Sequence, residues 1–420
     1  MRRMIWILIM VIMLTPLASL QAQNVEYVGS FGTPSYVYDA SVIGSYAYIA
    51  NGDSGLLILD VANPTNIIQV GRRDTPGSAY KIFVSNNYAY LADDASGLEI
   101  IDVNNPANPV WTGNYIMSAG NPFGFFVDTS CAYIVQQYAN LQIVNITDPT
   151  NPTLISTWDD ASPTGEVFAL DTCVYLPSFQ DLPHGFEIIG VSDPSQPTLI
   201  GSFPGFFHYG PLFVLNNYAY LIDNEENFPA LVIIDISNPR SPWPIGNLDL
   251  PFSTYSNDIF ILGNYAYIAD TDTGIGVADI TIPSNPRIVG GYHTPGSPLG
   301  IYVSNGYIYV ADITSLQILR FNPTGIEEDN AIPNTFAIAQ NYPNPFNPTT
   351  QIKYGLPKDD NINISVYNLL GQKVVTLFDG EQNAGEHSIS WDAEDFPSGV
   401  YFARLISGEK AENIKMVLMK

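Results

Sequence analysis

Catalysis needs side chains that can exchange protons, bind metal or attack a substrate from close quarters, and in this 420-residue chain such side chains are sparse. His184, His208, His293 and His387 stand far apart, and no G-x-S-x-G, H-E-x-x-H, P-loop or C-x-x-C pattern occurs. That argues against a catalytic triad or a zinc centre. Three acids, Asp39, Glu166 and Asp258, recur at equivalent places in a repeating pattern, and facing carboxylates can run acid and base chemistry. The remaining equivalent places hold Lys81, Gly124, Pro211 and Gly300, a mixture that reads as ordinary variation. Asp270 and Asp272 in "DTDTG" resemble part of a calcium loop, but there is no distal Glu, and Asp and Gly suit a plain turn equally well. Calcium is the one cofactor the sequence raises, and the plain turn is the stronger reading. A second grouping comes from two lengthened segments, "LPSFQDLPHGF" and "IDNEENFPAL", with "FFHYG" between them. They carry His184, Glu225, Glu226 and Phe228 toward His208 and Tyr209, where an aromatic ring beside carboxylates could stack a sugar or meet a basic side chain.

These residues depend on a repeat for their positions. In "SNNYAYLADDASGLEIIDVNNPANP", residues 85–109, two alternating runs flank a Gly-containing turn and end at a proline turn. The phrase returns with its "YAY" slot at Tyr46, Tyr88, Cys131, Cys173, Tyr218, Tyr265 and Tyr307, so seven units are expected. A period of about 40–45 residues with four short strands per unit is that of a propeller blade. The seventh unit lacks an outer strand, and the chain begins with an orphan, "VEYVGSF". Val25 to Phe31 is therefore expected to pair beside "LQILRF" and close the ring. Cys131 and Cys173 replace repeat tyrosines and read as small buried hydrophobes rather than a disulfide. The repeat resembles the LVIVD family of bacterial extracellular propellers over about residues 24–323.

After Pro323 the pattern changes. "TGIEEDNAIPNT" reads as a linker, 324–335, and alternating segments from Phe336 to Lys420 suit a small Ig-like β-sandwich. With "NYPNPFNP", "VYNLLGQKV", "WDA" and "SGVYFARL" in order, this part closely resembles the C-terminal sorting domain of type IX secretion substrates, with a related sandwich in flagellar-hook capping proteins as the weaker match. The resemblance places Gly399 and Tyr401 on the family's Gly-x-Tyr motif and Lys415 and Lys420 on its basic terminus. It implies the type IX machinery as a partner, passage through the periplasm, and release or anchoring at the outer surface.

The expected organisation is all-β: a signal peptide over 1–22, a seven-bladed β-propeller over 23–323, the linker, and the sorting sandwich over 336–420. Arg2 and Arg3 before an apolar run from Met4 to Leu14 suit such a leader. A formal net charge of −26 argues against nucleic acid or an anionic membrane as partner. A non-catalytic binding or adhesion protein for a protein or glycan ligand is the favoured function. The alternatives are an extracellular hydrolase or lyase using acids at the channel mouth, and a structural tile of a surface layer.

Overall fold

The computed structural model describes residues 24–117, 122–136, 140–159, 166–177, 185–203, 210–224, 229–250, 255–323 and 336–418, apart from 342, 343, 345, 347, 370, 395 and 409. The expected leader and linker lie outside these residues. Within them the chain is all-β, with seven four-stranded antiparallel sheets as blades and two further sheets in a C-terminal sandwich.

Blade 2 shows the plan. Its strands run Ala79–Ser85 innermost, then Tyr88–Asp93, Leu98–Asp102, and Val110–Tyr115 outermost. Stacked blades cover both faces of the second strand, so positions that would alternate in a half-exposed sheet are all buried from Ala89 to Asp93. Ala89 and Leu91, on one face of this strand, are both fully buried against blade 1.

The proline turn works as two successive side-chain caps. Asp102 Oδ1 accepts the Asn104 amide at 2.8 Å, and Asn105 Oδ1 accepts the Ala107 amide at 3.2 Å. Asp60 with Asn63 and Asp235 with Asn238 repeat the arrangement. These caps hold the backbone in a turn that proline then stiffens. They also aim the proline carbonyl at the preceding blade, where its outer strand carries glycine. A Cβ on Gly71 would lie 2.0 Å from Pro106 O, and one on Gly246 1.9 Å from Pro283 O. Blade 3 has Ser156 in this slot, and its hydroxyl donates to Pro194 O at 2.6 Å instead. The "NP" turn and the outer-strand glycine together form a blade-to-blade latch.

Closure follows the expectation from strand counting. The outer strand of blade 7 is Val25–Val37, antiparallel to Ile313–Phe321 with Val25 opposite Phe321. Asn24 Nδ2 donates to Val289 O at 3.2 Å and ties this first strand to blade 6.

In the C-terminal domain a sheet of Ala337–Ile338, Thr349–Leu356 and Gly385–Asp392 faces one of Lys373–Gln382, Asp360–Asn368, Gly399–Ser407 and Lys410–Leu418. Trp391, Phe346, Met416 and Tyr401 fill the space between the sheets.

Candidate functional site

The grouping expected between blades 4 and 5 cannot be placed: His184, His208, Tyr209, Glu225, Glu226 and Phe228 all lie outside the described residues. The base of the blade 5 hairpin is described. There Asn224 is buried and grips the start of the blade 6 inner strand both ways, its Nδ2 donating to Ser256 O and its Oδ1 accepting the Ser256 amide, each at 3.0 Å.

The Thr-Pro-Gly loops on the same face have a structural role. Asp93, at the end of the second strand of blade 2, accepts Thr75 Oγ1 at 2.6 Å and the Gly77 amide at 2.7 Å. Asp312 treats Thr294 and Gly296 the same way, both at 2.8 Å. One buried carboxylate thus pins each loop, and glycine is needed because a Cβ at Gly77 would meet Asp93 O at 2.3 Å.

Inside the channel the structure brings together what the sequence scattered. Asp39, Lys81, Glu166 and Asp258 come from the inner strands, or the approach to them, of blades 1, 2, 4 and 6. Lys81 is ion-paired to Glu166. Burial works against the lysine's charge, yet Glu166, Asp258 and Asp39 together hold its pKa above the usual value. Burial pushes the Asp258 carboxyl up to about 8 despite Lys81, with Glu166 and Asp39 adding to the rise. Asp39 is raised by burial too, against the pull of Lys81. Both aspartates also hold the ring together. Asp39 accepts the Ala40 amide at 2.8 Å and, across the blade junction, the Ile82 amide at 3.0 Å. Asp258 repeats this with Ile259 at 2.8 Å and Ile301 at 2.7 Å. The sequence reading took the mixed slot for variation and so missed Lys81 as the counter-ion that lets three acids share the channel.

One layer deeper, Phe83, Phe126, Phe168, Phe213, Phe260 and Tyr302 form a collar, with neighbouring ring centroids 4.6 to 5.1 Å apart. Ser41 stands in the seventh place and shares a hydrogen bond with Tyr302. The signal was available, since each collar residue follows the mixed slot by two positions on its strand.

The remaining expected residues separate. Asp270 is fully buried and caps its own hairpin, Oδ1 accepting the Thr273 amide at 2.9 Å, while Asp272 is exposed. Cys131 and Cys173 are free thiols, both raised by burial. In the sandwich, Tyr401 is a core residue whose hydroxyl donates to Pro397 O at 2.7 Å. Gly399 opens a strand rather than sitting in a turn, whereas Gly371 does hold a turn, at φ +73°. Lys415 exposes its side chain, and its carbonyl accepts Gln340 Nε2 at 2.6 Å and Asn344 Nδ2 at 3.2 Å. Asn344 and Phe346 therefore cover the outer edge of the last strand, with Asn344 Oδ1 also accepting the Val417 amide at 2.8 Å and the Phe346 amide donating to Val417 O at 2.9 Å. Lys420 lies outside the described residues.

The LVIVD repeat family matches seven segments, 34–75, 76–116, 130–160, 181–204, 211–249, 254–294 and 295–319, together more than half of the chain. The secretion system C-terminal sorting domain matches residues 340–419. No curated protein matches in sequence. Among solved structures, the WD40 β-propeller domain of Doa1 is similar at 10% identity, covering 72% of this chain and 99% of that one, with a TM-score of 0.57. The computationally designed Ika8 protein is similar at 7% identity over 70% of this chain and 100% of that one, TM-score 0.51. PorZ, a bacterial surface component of the type-IX secretion system of Porphyromonas gingivalis, is similar at 13% identity and TM-score 0.49, covering 93% of this chain. The chain spans 60% of the PorZ chain's length.

Proposed function

We propose, from the premise that this chain belongs to the LVIVD-repeat family, that it is exported through type IX secretion and acts outside the cell as a non-catalytic binding protein for a protein or glycan ligand. The sorting domain supports the export half of this reading. The channel supports the binding half: a charged layer of Asp39, Lys81, Glu166 and Asp258 lies on the mouth side of an apolar collar. A few convergent polar groups beside an apolar, aromatic wall is the make-up of a ligand site.

The aromatic and acidic residues of the lengthened segments in blades 4 and 5 are the proposed contacts. Screening the purified protein on glycan and peptide arrays tests the reading. Replacing Tyr209, Glu225 and Glu226 with Ala is expected to weaken the best hit by at least ~2 kcal/mol with an unchanged Tm. Full affinity in that variant would place the ligand elsewhere. For export, a chain truncated after Pro323 is expected to keep its propeller and remain in the periplasm, and surface delivery equal to that of the full chain refutes this.

An extracellular hydrolase is the second reading, and the raised Asp258 beside Glu166 is the observation that favours it. Against it, each Asp258 oxygen already accepts a backbone amide, which makes the carboxyl a clamp between blades. Turnover of polysaccharides or lactones that is abolished in Glu166→Gln would reverse the ranking.

A further inference from the structure

The outer flank of blade 5 carries a cavity of about 520 Å³, within the size range of small-molecule sites. Its wall has a short side chain where other blades have a long one. In blades 2 and 3 the third-strand residues opposite Leu91 and Ile134 are Glu99 and Gln142. Both are buried and engaged by an aromatic residue, Glu99 accepting Trp111 Nε1 at 2.6 Å and Gln142 accepting Tyr115 Oη at 2.8 Å. Opposite Leu221 of blade 5 stands Val232, which lines the cavity and offers no polar group to it.

Polar groups reach the cavity from around that valine. Asp223, Ala230 and Asp249 are successive partners across three strands, so two lining carboxylates flank one small residue. Neighbouring strands lie about 4.8 Å apart, which sets the Cα atoms of the two acids about 10 Å from each other. Asn247, paired with Val232, adds an amide that can donate and accept, and Ser284 from the proline turn of blade 6 adds a hydroxyl. Trp243, the first residue of the same outer strand, is 67% exposed. Its ring meets Phe203 of blade 4 edge-on at 5.9 Å, and Phe203 packs in one cluster with Val232.

These features sort the possible ligands. An anion would meet two carboxylates and, among the described lining residues, no lysine or arginine, which rules against phosphates and acidic sugars. The spacing of the acids suits a ligand that spans them, not a point charge. A metal ion is disfavoured on the same ground, and among the described residues no three Asp, Glu, His or Cys side chains are grouped to hold one. A sugar ring carries hydroxyls on opposite sides and an apolar face, so it can donate to both carboxylates, bond to Asn247 and lie against an exposed indole.

We propose that this cavity is a saccharide site, taking a neutral sugar unit between Asp223 and Asp249 with Trp243 as its apolar platform. The proposal rests on the reading of the protein as an extracellular binder and adds a site apart from the contacts assigned to the lengthened segments.

The test is an array of neutral oligosaccharides, acidic oligosaccharides and basic peptides, probed with the full-length protein, with Val232→Gln, with Trp243→Ala, and with the triple variant Tyr209→Ala, Glu225→Ala, Glu226→Ala. Val232→Gln copies Gln142 of blade 3 and fills the cavity, while Trp243 is exposed, so both variants should keep the wild-type Tm. At least one neutral oligosaccharide is expected to bind the wild type and to lose tenfold or more in affinity with each of these two substitutions. No neutral-saccharide binding, or binding that survives either substitution, overturns the proposal. Loss of a basic peptide instead of a sugar in both variants overturns it equally and makes the cavity a peptide site. Ligands lost only in the triple variant belong to the lengthened segments, so the two sites fail independently.

Discussion

The two layers of the channel wall are built by residues two positions apart on the same strands, yet they follow different rules. The deeper layer is aromatic in six blades of seven, with Phe168 seated 4.6 Å from Phe126 and 5.0 Å from Phe213. The layer nearer the mouth holds Asp39, Lys81, Gly124, Glu166, Pro211, Asp258 and Gly300, with no type dominant. Uniformity in the collar reflects a packing problem posed identically by every blade, since each ring must touch the next. Variety above it reflects a charge problem that only the whole ring can solve. Three carboxylates desolvated in one place need a counter-ion, and Lys81 supplies it for blades 1, 4 and 6 at once.

Substitutions can break this contrast at either layer. The largest effect is expected from Lys81→Met, which fits the space but leaves the acids uncompensated. A loss of about 3 kcal/mol by denaturant unfolding is expected, because removing one partner of a desolvated charge group exposes the cost of the others. A loss below about 1 kcal/mol would mean that the acids are neutral without the lysine.

Phe168→Ala is expected to cost about 2 kcal/mol, below the usual range for a fully buried phenylalanine because the collar is only half-buried. It should leave the charged layer's pH response intact, and a changed response would show the two layers to be coupled.

The sharpest separation of the layers concerns pH. Folding raises the Asp258 carboxyl to about 8, from about 3.9 in the unfolded chain. A raised acid favours the folded state while protonated, so its contribution is whole below pH ~4, declines as pH rises and is spent above pH ~8. Propeller stability is expected to fall across that window, and Asp258→Asn should flatten the slope. Lys81, raised as well, holds its contribution throughout this range because it stays charged. An unchanged slope in Asp258→Asn would assign the effect to Asp39.

Much of the architecture was legible because it is written locally and repeated. The Asn-Pro turns, the glycine hairpins and the strand alternation each act over a few residues, and counting strands was enough to pair Val25 to Phe31 with "LQILRF". The Thr-Pro-Gly loops were not legible for the opposite reason: their partners Asp93 and Asp312 lie 16 to 18 residues on, and only the folded hairpin brings them into hydrogen-bond reach. The sorting-motif tyrosine, Tyr401, was legible as a landmark and not as a core residue bonded to Pro397, because a motif records which residue recurs and not which way it faces.

Sequence by itself determined the number of blades, the closing strand and the C-terminal sandwich, since turn chemistry and the two-residue strand period act at short range. Tertiary structure alone decided that residues 39, 81, 166 and 258, spread over half of the chain, share one desolvated space. It also decided that Asp270, alike in sequence to Asp93 and Asp312, has an oxygen without a hydrogen-bond partner among the described residues. Closing a ring turns distance along the chain into contact across a channel, and the electrostatics of that contact depend on burial, which no single repeat can specify.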